Sequence, residues 1–159
     1  MSDITLKAGD KAPAFKGVDQ DGNVISLSDF KGKKVVLYFY PKDNTPGCTA
    51  QACNLRDNYD ALTGLGYQVI GVSGDSVKSH KKFEQKFDLP FPLIADEDKV
   101  ILNDYGVYGA KKFMGRSFLG IHRTTFLIDE KGIIKAIITK PETKNQAQQV
   151  LDTWEALEG

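Results

Sequence analysis

The sequence predicts an α/β fold in which helices cover both faces of a central mixed β-sheet. Apolar stretches of strand length alternate with segments of helical period, and two apolar runs near the carboxyl end flank a turn sequence. No repeat, low-complexity tract or linker interrupts the 159 residues, a length typical of one domain with its own core. We therefore expect a single domain over residues 1–159.

The first predicted elements are a hairpin and a buried strand. Residues 15–18 and 24–27 flank the turn-rich pentad Asp-Gln-Asp-Gly-Asn, which predicts a small hairpin. Residues 35–40 are continuously apolar and aromatic, as expected of a central strand that is covered on both faces.

A helix is predicted to follow this strand. Apolar residues recur at helical spacing from Ala52 to Leu62, and glycines then end the pattern. Thr45 and Pro46 are typical of an N-cap and of the first helical residue. Cys48 is therefore expected in the first turn of this helix.

Strands and helices alternate in the middle of the chain. Residues 68–73 predict a second buried strand, and Ser76 can cap a helix that ends before Pro90. Residues 92–95 predict a short strand, and residues 98–105 predict a short helix.

The last third of the chain begins with a predicted loop, residues 106–120, which is rich in glycine and aromatic residues. Residues 121–128 and 133–138 bracket Asp-Glu-Lys-Gly, which predicts an antiparallel hairpin. A helix with an apolar stripe that includes Trp154 closes the chain. This element order is that of a thioredoxin-like fold with an N-terminal β-hairpin extension.

Charge and hydropathy argue against two classes of partner, nucleic acids and membranes. Lys plus Arg and Asp plus Glu both number 21, so no net field recruits nucleic acid or an anionic membrane. No segment approaches the roughly 18 apolar residues that a membrane span needs, and the amino terminus has no apolar signal core. We expect a cytoplasmic protein that acts on a small neutral molecule.

The two cysteines, Cys48 and Cys53, indicate chemistry, because a chain of this length does not depend on a disulfide framework. Together with the scattered His80 and His122, they lack the paired spacing of structural zinc sites. We therefore expect no metal and no other cofactor.

Cys48 is well placed for reactivity. A thiol attacks as the thiolate, and an ordinary cysteine, with a pKa of about 8.5, is mostly protonated at neutral pH. The first turn of a helix supplies positive potential through its unpaired N–H groups and the helix dipole. A strand-to-helix turn also borders the crevice where α/β folds bind ligands. The alternative is an inert, buried cysteine.

The string Pro-Lys-Asp-Asn-Thr-Pro-Gly-Cys, from Pro41 to Cys48, resembles the active-site motif PxxxTxxC of the peroxiredoxins. Downstream, Gly-Ile-His-Arg-Thr-Thr-Phe-Leu-Ile-Asp contains Arg123 and resembles the strand that bears the family's active-site arginine. With Thr-Pro-Gly-Cys-Thr-Ala-Gln-Ala-Cys-Asn-Leu-Arg-Asp and Lys-Phe-Met-Gly-Arg, the chain is similar to the bacterioferritin-comigratory protein (BCP, or PrxQ) subfamily over nearly its full length.

The resemblance implies a thiol-dependent peroxidase that reduces hydrogen peroxide and organic hydroperoxides. Cys48 would take the terminal peroxide oxygen and become a sulfenic acid. Thr45, Arg123 and the backbone N–H of Cys48 would hold the charge that develops on the oxygens. Pro41, which has no N–H, would shield the sulfur from water.

Each of these residues also has a plainer interpretation. Pro41 could simply end the strand, and Thr45 could cap the helix. Arg123 is predicted to share a strand face with Ile121 and Thr125. From there it could pair with the thiolate or reach solvent.

The resemblance further implies that Cys53 resolves the sulfenic acid by a disulfide with Cys48, and that thioredoxin or a similar dithiol reduces this disulfide. On an ideal helix, Cα atoms five residues apart are about 8.6 Å apart, whereas a disulfide tolerates up to about 7 Å. We therefore expect the first turns to unwind after oxidation. The alternative is a packed Cys53 and an external resolving thiol.

Two other functions are weighed against the peroxidase. A thioredoxin-like disulfide oxidoreductase would use Cys-x-x-Cys, which this sequence lacks. A non-enzymatic binding or chaperone module would keep its function after Cys48→Ser. The resemblance favours the peroxidase and implies a monomer.

Overall fold

The computed structural model describes residues 4–158, and its main element is a mixed β-sheet. The strands are β1 (Lys16–Val18), β2 (Val24–Ser26), β3 (Lys34–Phe39), β4 (Tyr67–Ser73), β5 (Leu93–Ala95), β6 (Tyr108–Phe113), β7 (Arg116–Ile121), β8 (Thr124–Ile128) and β9 (Ile134–Ile138). The helices are α1 (Pro46–Asp57), α2 (Tyr59–Gly64), α3 (Val77–Phe87), α4 (Val100–Asp104) and α5 (Gln146–Glu158), with 3₁₀ turns at Leu27–Phe30 and Thr143–Asn145.

The main sheet has seven strands in the order β2-β1-β5-β4-β3-β8-β9. Strand β3 lies between β4, with which it pairs in parallel, and β8, with which it pairs antiparallel. The N-terminal hairpin joins this sheet through β1, which pairs with β5 at Val18 and Ala95. The thioredoxin-like architecture with a mixed sheet and an added N-terminal hairpin is therefore confirmed. No helix along residues 4–158 is both long enough and apolar enough to cross a bilayer.

Strand β3 shows why its sequence is continuously apolar. Successive side chains point to opposite faces of a sheet, and both faces of β3 are covered. Val36 and Tyr38 pack into the core cluster on the side of α1 and α5, whereas Leu37 and Phe39 pack into the cluster on the other side. This double burial matches the inner position of β3 in the sheet, and the chain that follows leaves from the carboxyl end of this strand.

The helix expected between Pro46 and Leu62 is divided in two. At Asn58 the backbone leaves the helical conformation, with φ −109° and ψ 8°, and its N–H turns to the carbonyl of Arg56. The Asn58 side chain donates to the Asn54 carbonyl at 2.8 Å, a bond that a helix backbone would otherwise make. Apolar spacing alone did not predict this break.

The predicted loop at 106–120 is wrong, because β6 and β7 form a two-stranded antiparallel sheet there. Met114 and Gly115 connect them with φ values of 51° and 79°, so both turn residues have positive φ, as in the tightest hairpin turns. Phe118 and Leu119 on β7 are exposed. The hairpin therefore lacks the half-buried alternation on which strand prediction depends.

The single strand expected at 121–128 is also wrong, because β7 ends at Ile121 and β8 begins at Thr124. The His122 N–H donates to the Val107 carbonyl at 2.7 Å, and the Thr124 hydroxyl donates to the His122 carbonyl at 2.8 Å. Arg123 thus lies in the two-residue connection between two sheets. It does not share a strand face with Ile121, as the sequence pattern predicted.

Candidate active site

The first turn of α1 places a cysteine near the carboxyl end of β3. Thr45 is the N-cap in extended conformation, Pro46 is the first helical residue, and the first helical bond runs from the Thr49 N–H to the Thr45 carbonyl at 2.8 Å. Cys48 therefore lies in the first turn, where backbone N–H groups precede the regular bonding pattern. The positive end of the helix dipole favours negative charge on its sulfur.

Thr45 stands at the N-cap position, but its side chain does not cap the helix. Its hydroxyl donates instead to the Lys42 carbonyl at 3.0 Å, within the loop that leads into α1. The hydroxyl oxygen keeps lone pairs for a second hydrogen bond. Thr45 is half-buried beside the first turn, as is Pro41 at the start of this loop.

Arg123 lies in the connection between β7 and β8, and its side chain contacts Cys48. Its Nη2 donates to the Cys48 Sγ at 3.3 Å, while Cys48 itself is only 1% exposed. A guanidinium is always charged and is a good partner for an anion that is shielded from water. The structure thus brings together the two residues that the sequence motifs indicated, although Arg123 lies outside any strand.

Gly47 leaves the space that the arginine occupies. A Cβ at Gly47 would lie 3.1 Å from Nη2 of Arg123, closer than side chains normally approach. The glycine of the Thr-Pro-Gly-Cys string thus allows the guanidinium to lie against the first turn of α1.

Two buried glutamines hold the other side of the guanidinium, and the sequence did not identify them. Arg123 Nη1 donates to Gln51 Oε1 at 2.7 Å, and Gln51 Nε2 donates to Gln146 Oε1 at 2.9 Å. Gln146 Oε1 also accepts from the Thr125 hydroxyl at 2.6 Å. Both glutamines are 0% exposed. The sequence contained one sign of this network: Gln51 is a polar residue on the buried face of α1, one turn after Cys48.

Cys53 is half-buried on α1, and both cysteines are free thiols. The helix is continuous from Pro46 to Asp57, so the two residues belong to one unbroken helical segment. Since ideal geometry places such Cα atoms about 8.6 Å apart, this conformation does not bring Cys53 to Cys48.

Tyr38 lies in the same core cluster as Cys48. Burial, and then the charge on Cys48, raise the pKa of the Tyr38 phenol well above its ordinary value. The phenol therefore stays neutral and packs in this cluster without adding a charge.

Asp43, Asp75 and His80 form a group along residues 4–158 that presents metal-ligand atoms, all within 4.8 Å of one another. Both ring nitrogens of His80 are already bonded, Nδ1 with Asp43 Oδ2 at 2.7 Å and Nε2 with the Ile94 carbonyl at 2.9 Å. A metal would have to displace one of these bonds, so the group fits a hydrogen-bonded cluster better than a metal centre.

This arrangement defines a class of protein. A thioredoxin-like sheet carries a cysteine thiol at the start of a helix, an arginine donates to its sulfur, and a second cysteine lies on the same helix. Such a site is suited to redox chemistry that begins with attack by a thiolate.

Comparisons with known proteins identify the family. Residues 8–137 match the AhpC/TSA family. A putative peroxiredoxin bcp of Coxiella burnetii is 47% identical over 93% of this chain and 98% of its own length. Peroxiredoxin Bcp of Escherichia coli is 48% identical over 92% of this chain and 94% of its own length.

Solved structures agree with the sequence relatives. A cysteine-to-serine mutant of Xylella fastidiosa PrxQ superposes with a TM-score of 0.89 at 30% identity, covering 97% of this chain and 98% of that one. A Xanthomonas campestris Peroxiredoxin Q structure has a TM-score of 0.84 at 32% identity, with 98% of each chain covered. The chain belongs to the AhpC/TSA family, in its BCP/PrxQ group of peroxiredoxins, and is a thiol-dependent peroxidase.

Proposed function

We propose that Cys48 is the peroxidatic residue and that Arg123 activates it. The observation that carries this proposal is the 3.3 Å contact from Arg123 Nη2 to the Cys48 Sγ in the first turn of α1. The guanidinium and the helix dipole both favour negative charge on the sulfur. A thiolate that is held in this way is the nucleophile that peroxide reduction requires.

In the first step the Cys48 thiolate attacks the terminal oxygen of the hydroperoxide. A sulfur–oxygen bond forms, the O–O bond breaks, and the leaving oxygen takes a proton to become an alcohol or water. Sulfur supplies the two electrons and becomes a sulfenic acid. Arg123 and the Cys48 backbone N–H stabilise the charge as it passes from sulfur to oxygen.

Thr45 and Pro41 complete the pocket for the peroxide. The Thr45 hydroxyl, now bonded to the Lys42 carbonyl at 3.0 Å, rotates to bond the peroxide oxygen that leaves. Pro41 lies at the start of the loop and offers no N–H to water or to substrate. In this proposal its ring shields the sulfur from water.

Cys53 is the resolving residue in this proposal. Its thiol condenses with the Cys48 sulfenic acid, a disulfide forms and water leaves. Because the intact α1 separates the two cysteines, its first turns unwind before the bond forms. Thioredoxin, or a similar dithiol protein, then reduces the disulfide by thiol exchange.

The substrates proposed are hydrogen peroxide and organic hydroperoxides. A Xanthomonas campestris bacterioferritin comigratory protein, 33% identical to this chain, is described as having alkyl peroxide reduction activity. We also propose that residues 1–159 act as one domain and as a cytoplasmic monomer without cofactor, metal, nucleic acid or membrane partner. Equal numbers of acidic and basic residues support the absence of an anionic partner.

These roles are tested by measuring peroxide consumption with a thioredoxin system. The assay compares three proteins: the parent, Cys48→Ser and Cys53→Ser. Cys48→Ser abolishes turnover, and Cys53→Ser forms a sulfenic acid that persists. Mass spectrometry of the peroxide-treated parent finds an intramolecular disulfide. A parent that keeps its sulfenic acid, or a Cys53→Ser protein that turns over normally, would refute the resolving role. Turnover by Cys48→Ser would refute the nucleophile.

A further inference from the structure

The loop between β3 and α1 is held by a buried carboxylate that peroxide chemistry does not use. Asp43 is 7% exposed. Its Oδ1 accepts from the Tyr40 hydroxyl at 2.6 Å, and its Oδ2 accepts from the Ser79 hydroxyl at 2.7 Å. The Nδ1 of His80 lies 2.7 Å from the same Oδ2. Three side chains thus converge on one carboxylate, well beyond what a surface loop needs.

His80 completes this cluster from α3. It is 0% exposed, and its Nε2 lies 2.9 Å from the Ile94 carbonyl on β5. The Ile94 carbonyl can only accept a hydrogen bond, so the Nε2 of His80 donates to it. The ring therefore joins β5 to the loop through two contacts that are shielded from water.

The loop backbone is fixed as well. The Asp43 N–H donates to Asp75 Oδ2 at 2.8 Å, and the Ser73 hydroxyl at the end of β4 donates to the same oxygen at 2.6 Å. Side-chain and backbone bonds therefore tie this one residue to α3, β4 and β5. We call Asp43, Ser79, His80 and Asp75 the Asp43 clamp.

We propose that the Asp43 clamp positions the loop for peroxide reduction, so that Asp43 and His80 are positioning residues of this enzyme. Asp43 lies midway between Pro41 and Thr45, the two loop residues that the proposed function places around the peroxide, and the inference rests on that function. Fixing the backbone between them fixes where the Thr45 hydroxyl meets the substrate. An error of about 1 Å in such a placement can cost about 100-fold in rate.

The clamp is separate from the groups that act on the sulfur. Arg123 donates to Cys48 and to Gln51, which accepts at 2.7 Å, and neither of these residues belongs to the clamp. The clamp thus governs where the peroxide sits, and the arginine governs the charge on sulfur. Loss of the clamp should slow the reaction with peroxide and leave the reaction with a reagent that needs no oriented oxygen unchanged.

The test uses reduced, full-length protein carrying Cys53→Ser, so that only Cys48 reacts. Asp43→Asn and His80→Asn disrupt the Asp43–His80 contact of 2.7 Å. Ser79→Ala removes one bond and serves if the other two fail to fold. Two rate constants are measured: with hydrogen peroxide, and with iodoacetamide, a neutral alkylating agent. Asp21→Asn is the matched control. It removes an exposed ion pair, in which Asp21 Oδ1 lies 2.6 Å from the Nζ of Lys81 on α3.

Asp43→Asn and His80→Asn should lower the peroxide rate constant by about 10- to 100-fold, with a smaller fall for Ser79→Ala. The iodoacetamide rate should stay within about twofold, since Arg123 still faces the sulfur. Folded variants with a parental peroxide rate, or an equal loss in both reactions, overturn the proposal. The parent's own peroxide rate reports on the proposed function, and the ratio of variant to parent reports on the clamp.

Discussion

Gln51 offers the sharpest test of how the guanidinium is held. Replacement by leucine keeps a side chain of similar size but removes both hydrogen bonds of the amide. Arg123 Nη1 loses its acceptor at 2.7 Å, and Gln146 loses the donor at 2.9 Å. Gln51 is 0% exposed, so water does not readily replace these bonds. The guanidinium is then free to turn away from Cys48.

The size of the effect follows from the charge on the donor. A hydrogen bond that involves a charged group contributes about 1.5 to 3 kcal/mol. Each 1.4 kcal/mol or so in a barrier changes a rate about tenfold. If the whole contribution is expressed in the transition state, Gln51→Leu slows the reaction of Cys48 with peroxide by roughly 10- to 150-fold.

The assay is competition for limiting hydrogen peroxide against a reference peroxidase, with reduced Cys53→Ser protein as the parent. Gln148→Leu is the control, since Gln148 is an exposed glutamine on α5 whose amide bonds only Asp152 among the described contacts. Gln51→Glu keeps an acceptor for Arg123 and should retain more activity than the leucine variant. A folded Gln51→Leu protein with the parental rate would show that Gln51 does not hold the guanidinium against Cys48.

Two further changes probe the site and its surroundings. Gly47→Ala places a Cβ 3.1 Å from Arg123 Nη2, so we expect Cys48 to react more slowly with peroxide. Alanine in place of glycine stabilises a helix by up to about 1 kcal/mol, but that gain does not restore the position of the guanidinium. An unchanged rate contradicts this expectation. Burial raises the pKa of Tyr38 and of Tyr40 well above the ordinary phenol value. Because the folded pKa exceeds the unfolded one, their contribution to the free energy of unfolding is complete below about pH 10 and is lost as the pH rises further. Denaturant titrations between neutral and alkaline pH measure this loss, and a flat profile argues against it.

Local patterns predicted the elements whose burial is regular. Strand β3 is covered on both faces and therefore reads as a continuous apolar run. Helix α3 begins at Val77, directly after the predicted cap Ser76, whose hydroxyl accepts from the Ser79 N–H at 3.0 Å. The hairpin of β6 and β7 escaped prediction because its residues Phe118 and Leu119 face solvent and Met114 is an unusual residue for positive φ.

The site was predictable only where sequence neighbours determine it. The capping pattern placed Cys48 in the first turn, and the family motifs indicated Arg123. The supporting groups depend on contacts between distant parts of the chain: Gln51 bonds a residue 95 positions away, and His80 bonds one 37 positions away. No local period carries that information, so these residues emerge only once the fold is known.

The activation of Cys48 by Arg123 is tested most directly by the rate at which Cys48 reacts with hydrogen peroxide in Arg123→Met. The rate is compared with that of the parent and of Arg116→Met, a control in which an exposed arginine is replaced. Loss of the charged donor at 3.3 Å should slow sulfenic acid formation by at least about tenfold, while the control keeps the parental rate. An Arg123→Met protein that is folded and reacts as fast as the parent would contradict the account.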